Sequence, residues 1–191
     1  VGQSALAANT TASNNTAMGF NALGANTTGA QNVAVGRLAL DANTTAADNT
    51  AIGNAAMTAS TTGASNTSVG AGSMRDNTTG GDNTAVGFNA LDANTTASDN
   101  TAVGSSALGS NTTGAGNIAM GNSSGGAITT GDSNTCLGRS AGVSIQTGTH
   151  NTLIGHSVDC AHDSDNAIVL GVDVTGQGDN FKFGKASNVV S

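Results

Sequence analysis

Three histidines, His150, His156 and His162, stand six residues apart, and an imidazole can hold a metal ion or move a proton. On the repeat described below they occupy its seventeenth, sixth and twelfth positions, so a single chain does not stack them in one column. Only around an oligomer axis would each meet its symmetry mates, and they read as polar corner residues. Asp48, Asp82 and Asp99 share one repeat position and raise the question of calcium. The nine-residue Gly-Gly-x-Gly-x-Asp pattern of calcium β-rolls is absent, and an Asp before each Asn reads as a turn former. Cys136 and Cys160 fall at different repeat positions without metal-ligand spacing. They would form a disulfide only if the late repeats brought them together, which is not expected. Two free, partly buried thiols fit folding in a reducing cytoplasm. The chain has no Glu, and no Ser-His-Asp or Cys-His pair recurs in a plausible setting. The expectation is therefore no enzyme, with no catalytic, cofactor-binding or metal-binding residues, and no receptor-binding residue is assigned.

A Thr-Thr pair recurs once per repeat, at Thr10-Thr11, Thr27-Thr28, Thr44-Thr45, Thr61-Thr62, Thr78-Thr79, Thr95-Thr96, Thr112-Thr113 and Thr129-Thr130. A regular Thr array on a flat face could order water and bind ice. Adjacent strand residues point to opposite faces, so the pairs leave one outward file rather than the two that Thr-x-Thr spacing gives.

The element that must carry these residues is the repeat itself. Gly2, Gly19, Gly36, Gly53, Gly70, Gly87, Gly104, Gly121, Gly138 and Gly155 are each seventeen residues apart, and Gly171 comes one residue early. A fixed period without insertions marks stacked structural units. Abundant Gly, Asn, Thr and Val disfavour helix, and two helices with a loop need a longer unit. The chain reads as all-β, a repetitive β-solenoid or β-roll with a 17-residue coil, its short strands separated by Gly and Asn corners.

Composition agrees. The 191 residues include no Trp, Tyr or Pro and four Phe, too little apolar bulk for an ordinary globule. Charged residues make up 9%, too few for a typical disordered chain. Net charge is −7 and the five basic residues are scattered, which argues against nucleic acid as a partner. No apolar run approaches the ~20 residues of a membrane helix, so no membrane insertion is expected. The chain starts at Val1, already within the repeat, and reads as a fragment or a trimmed product.

With the unit numbered from its leading Asn, position four is large and apolar (Met18, Val35, Ile52, Val69, Val86, Val103, Met120, Leu137, Ile154). Position nine is also large (Leu6, Leu23, Leu40, Met57, Met74, Leu91, Leu108). Positions three and eight are mostly Ala. Strand alternation then predicts positions four and nine inside, with an outward Ala column suited to close approach of another chain. Such a thin core favours an oligomer, and three chains are the usual solution for fibrous β-structure. Asn at position one (Asn15 through Asn151) predicts a side-chain ladder along the axis, and Asn also tolerates left-handed turns.

After about residue 120 the pattern changes. Position nine becomes Gly125 and Gly142, while Ile128 and Ile145 enter at position twelve. Cys136 and Leu153 replace Ala at position three, and Val158 replaces it at position eight. A core that shifts its path is expected, with a broader or rearranged cross-section. Residues 1–165 form the repeat shaft, and 166–191 a non-repeat cap or transition segment.

The units "NTAMGFNALGANTTGAQ", "NVAVGRLALDANTTAAD" and "NTAVGFNALDANTTASD" resemble the repeat of bacteriophage tail fibres, especially marine and cyanobacterial ones, from residue 1 to about 165. They are more loosely similar to the "AxG" repeats of trimeric autotransporter adhesin heads, whose unit is shorter, near fourteen residues. The tail "DNFKFGKASNVVS" resembles the segment that precedes a C-terminal self-cleaving chaperone in such fibres. That chaperone would have been cleaved off or left out, placing Ser191 near the cut. The resemblance implies a parallel homotrimer on the virion, assembled in the host cytoplasm and extracellular thereafter. It implies host attachment as the function, with a cell-surface receptor or glycan as further partner, although no aromatic platform for sugar stacking is visible. A bacterial adhesin or extracellular filament would share the fold, an ice-binding solenoid would be monomeric, and a polysaccharide depolymerase would need a carboxylate cleft.

Overall fold

The computed structural model describes residues 2–185 and 188–190. It is an all-β solenoid of about ten turns with 17-residue coils and, among the described residues, no helix. Each coil contributes one three-residue strand at positions two to four, from β1 (Thr16–Met18) and β2 (Val33–Val35) through β9 (Thr152–Ile154). These pair in chain order, parallel and in register, so that Ala17 lies beside Ala34 and Val86 beside Val103. The remaining sides are turns rather than strands, yet they too are tied to their neighbours. The position-nine N–H of Leu23 donates to Ala39 in the next coil at 3.0 Å, and the position-seven N–H of Leu38 donates back to Phe20 at 2.9 Å.

The in–out assignment corrects the sequence expectation. The Ala residues at positions three and eight face the interior: Ala34, Ala51, Ala85, Ala102 and Ala119, with Ala22, Ala39, Ala56, Ala90 and Ala107, are fully buried. Position four faces outward, with Met18 54% and Ile52 39% exposed. Cys136, Leu153 and Val158, read as members of an outward column, are inward and buried with the Ala they replace. Alternation within the strand holds, but its phase is opposite. The interior behind the strand is one Ala deep, because the turn on the far side sends in the Leu or Met of position nine. Those residues, Leu23 through Leu108, are buried as expected.

Positions eight and nine both point inward because they are not strand. Position nine is left-handed, with φ +51° at Leu91 and +50° at Leu108, and position seven is too, with φ +51° at Asn89. A non-glycine residue pays roughly 1–2 kcal/mol for that conformation, whereas burying a Leu side chain stabilises by roughly 1.5–3 kcal/mol. Unbranched Cβ atoms suit this trade, and Val or Ile never occupies position nine. Position seventeen is left-handed as well, at Asp48, Asp82 and Asp99 among others, which agrees with their reading as turn formers. Position five needs Gly for space and for φ. At Gly87, with φ +144°, a Cβ would lie 2.4 Å from the Gly104 carbonyl oxygen of the next coil.

Asn ladders seal the interior. At position one, Oδ1 of each Asn accepts the backbone N–H of the Asn one coil on, as Asn83 does from Asn100 at 3.0 Å. The Asn83 Nδ2 donates to the Ala97 carbonyl at 2.9 Å. From Asn32 to Asn151 these residues are buried and none is left-handed, so the ladder alone accounts for them. A second ladder runs at position twelve, where Asn43 donates to Asn26 Oδ1 at 2.9 Å and Asn94 to Asn77 Oδ1 at 2.8 Å. Coil four replaces both interior Ala by Ser, and the hydroxyls of Ser68 and Ser73 pair with each other.

The late change of core occurs as an exchange of volumes. Ile128 and Ile145 are fully buried, and a Cβ on Gly142 would sit 2.6 Å from Cys136 Sγ and 3.2 Å from Ile145 Cδ1. The isoleucines fill the space that position nine vacates. The sheet runs on through β10 (Ile168–Val172) and β11 (Phe181–Lys185), both parallel, over coil steps of sixteen and then thirteen residues. The antiparallel β12 (Asn188–Val190) closes this edge. Ser191, expected near a cleavage point, lies outside the described residues.

The position-twelve ladder has one internal gap. Ser60 is too short to continue it, leaving Ser60 Oγ and Asn43 Oδ1 buried without partners. Each buried orphan costs ~1–3 kcal/mol. Ser60→Asn is therefore expected to raise the melting temperature by about 2–6 °C, read by circular dichroism, and an unchanged or lower value would contradict the ladder's role.

Candidate interaction surface

The outward side of the sheet is built from positions two, four and six. Alternation places the side chains of positions two and four outward on every strand, and the turn after the Gly adds position six. Position two is Thr except at Val33, Ile118 and Ile168, and position four is always Val, Ile, Leu or Met, continuing to Leu170. Exposed apolar side chains recur along it at Met18, Ile52, Val86, Met120 and Ile154, with Phe20 and Phe88 from position six. At the C-terminal end Val172, Phe181 and Phe183 extend the same character, the last 55% exposed.

Positions two and four carry no charge in any coil. Through the eighth coil every Asp sits at position ten, eleven, sixteen or seventeen, on the corners. The basic residues at position six are engaged: Arg37 lies 5.9 Å over the Phe20 ring, and Arg139 bonds His156. At ~4.8 Å per strand the face from β1 to β10 is roughly 45 Å long and, at two to three side chains wide, on the order of 500 Å². That matches the largest apolar patches of monomeric proteins, which are often functional.

The chemistry-bearing residues do not converge. His150 is exposed at its corner, His156 sits between Arg139 and Asp173 with its Nδ1 3.6 Å from Asp173, and His162 lies beside Asp163. Among the described residues no group of three His, Cys, Asp or Glu is placed to hold a metal ion. The Thr pairs divide as their adjacency requires. Thr78 Oγ1, at position thirteen, donates to the Thr95 carbonyl at 2.8 Å, while position fourteen forms a single exposed file from Thr28 to Thr130. Asp165 accepts from both the N–H and the hydroxyl of Thr149, which hold its carboxyl below the usual range.

Cys136 and Cys160 are free and both buried in the common core. Burial, aided by the neighbouring thiol and Asp159, pushes Cys136 up to about 12. Burial and Asp159 push Cys160 up to about 11. Both stay neutral at pH 8, and the thiolate is the reactive form. Neither thiol is expected to react with an aromatic disulfide reagent at pH 8 until the protein is unfolded in guanidinium, when both should titrate. Prompt reaction of either in the native protein would contradict the buried placement. Compared with known proteins, the chain matches no protein-family model, no curated protein and no solved structure.

Proposed function

We propose that this chain is the shaft of a homotrimeric fibre, of the kind carried by bacteriophage tails, which attaches a virion to its host and catalyses no reaction. Its coils supply length and stiffness, since every coil is hydrogen-bonded to the coils before and after it. The observation that carries the reading is the outward face, whose positions two and four carry no charge and whose position four is apolar in every coil. Association would shield it, whereas a lone rod in water would leave about ten coils of Val, Ile and Met uncovered. The small Ala file, the expected meeting point, is inside the coil and unavailable. The number three rests on the resemblance of the repeat and its tail to phage fibres.

The test is the native mass, measured by light scattering. The parent is expected at about three times the 18.2 kDa of one chain. Val86→Asp with Val103→Asp places charge in the middle of the outward face without touching the coil interior, and should shift the protein to one-chain mass with its strand spectrum kept. A parent at 18.2 kDa would overturn the fibre reading. A variant that stays trimeric would remove this face from the interface.

A further inference from the structure

Position ten is where the rod's surface departs from uniformity. It carries Asp41, Thr58, Arg75, Asp92 and Val143, but Gly109 and Gly126 in two consecutive coils. The backbone does not require glycine there: neither has positive φ, and an added Cβ would come no nearer than 3.2 Å and 3.1 Å to a neighbouring atom. The same slot holds larger side chains in the coils on either side. What the two glycines do is leave space. A groove of about 450 Å³ opens over them, running across four coils from Asp92 at one end to Val143 at the other. At Gly24, an isolated glycine of the same position, the Asp41 side chain fills the gap and accepts from Asn21 at 3.0 Å.

The geometry points to this groove as a binding site for a neutral sugar unit of a cell-surface glycan. Its size lies in the range of small-ligand sites, roughly 300–1,000 Å³. Asn89, Ser106, Ser110 and Ser123 offer amide and hydroxyl groups that can both donate and accept, and Asp92 offers a carboxylate. Ala127 and Val143 supply apolar surface for the C–H face of a ring. Asp92 is held in place by Arg75, which donates to its Oδ2 at 3.1 Å, while its Oδ1 is buried. No Lys, Arg or His lines the groove, which disfavours phosphates, sialic acids and uronic acids. It contains one carboxylate, whereas glycoside hydrolysis ordinarily uses two. The groove therefore binds and does not cleave. Without an aromatic stacking surface each site is weak. Useful avidity rests on the trimer proposed above, which presents three copies together.

The experiment is saturation-transfer NMR and titration of the native protein with glucose, galactose, mannose, N-acetylglucosamine and their disaccharides. Gly109→Thr with Gly126→Thr fills the groove using the residue that position ten already accepts at Thr58. Saturable binding of at least one neutral sugar, weakened tenfold or more in the filled variant at unchanged melting temperature, is expected. Binding by none of these sugars, or equal binding by the filled variant, overturns the groove. Should the filled variant melt lower, Ser110→Ala with Ser123→Ala replaces it, with the same loss expected and the same equality contradicting. The native mass of the same samples is read in parallel. A trimer that binds no sugar rejects the groove alone, and a sugar-binding monomer rejects the fibre alone.

Discussion

Parallel backbone hydrogen bonding between successive coils fixes their spacing at about 4.8 Å, and the rest of the structure follows from it. Equivalent positions of the repeat lie one above another at that distance for nine consecutive strands. A column tolerates only what can stack on itself. Asn can, because its carbonyl accepts from the next coil while its amide closes its own. Gly at position five is demanded because one coil's backbone lies where its neighbour's Cβ would be. Like charges in a column repel, and no column carries Asp in more than two consecutive coils, as Asp82 and Asp99 do at position seventeen.

The same constraint explains what the sequence made legible and what it hid. The period, the fold class, the position-nine core and the Asn ladder all follow from residue types repeated at fixed intervals. The internal gap of the twelfth-position ladder at Ser60 and its end at Ile128 stand in the sequence too. The phase of the strand was not. Alternation separates Ala34 from Val35 but does not say which is inside, and side-chain size suggests the wrong one. The interior at the strand is only an Ala deep because Leu40 reaches in from a left-handed turn. That turn also breaks the alternation rule at positions eight and nine. Two signals pointed the other way: the exclusion of β-branched residues from position nine, and the joint change to Ser68 and Ser73, which makes sense only if the two face each other.

Reversing the phase moves the candidate interaction surface rather than removing it. Large apolar side chains in a file that faces water are a stronger motive for association than a file of Ala. The groove over Gly109 and Gly126 was hidden for a different reason: glycine in a glycine-rich repeat looks structural until its φ shows that the backbone would accept another residue. The apolar face unites all coils through their sameness, whereas the groove arises where two of them differ from the rest.

The four methionines report on both claims at once. Met57 and Met74 are sealed inside the coil, and Met18 and Met120 stand on the outward face. Hydroxyl-radical footprinting of the native assembly, read by mass spectrometry, measures their oxidation side by side. The account predicts that all four are protected, Met57 and Met74 by their own coil and Met18 and Met120 by neighbouring chains. Rapid oxidation of Met18 and Met120 beside protected Met57 and Met74 would mean that the face is bathed in water, and would contradict the assembly on which the account turns.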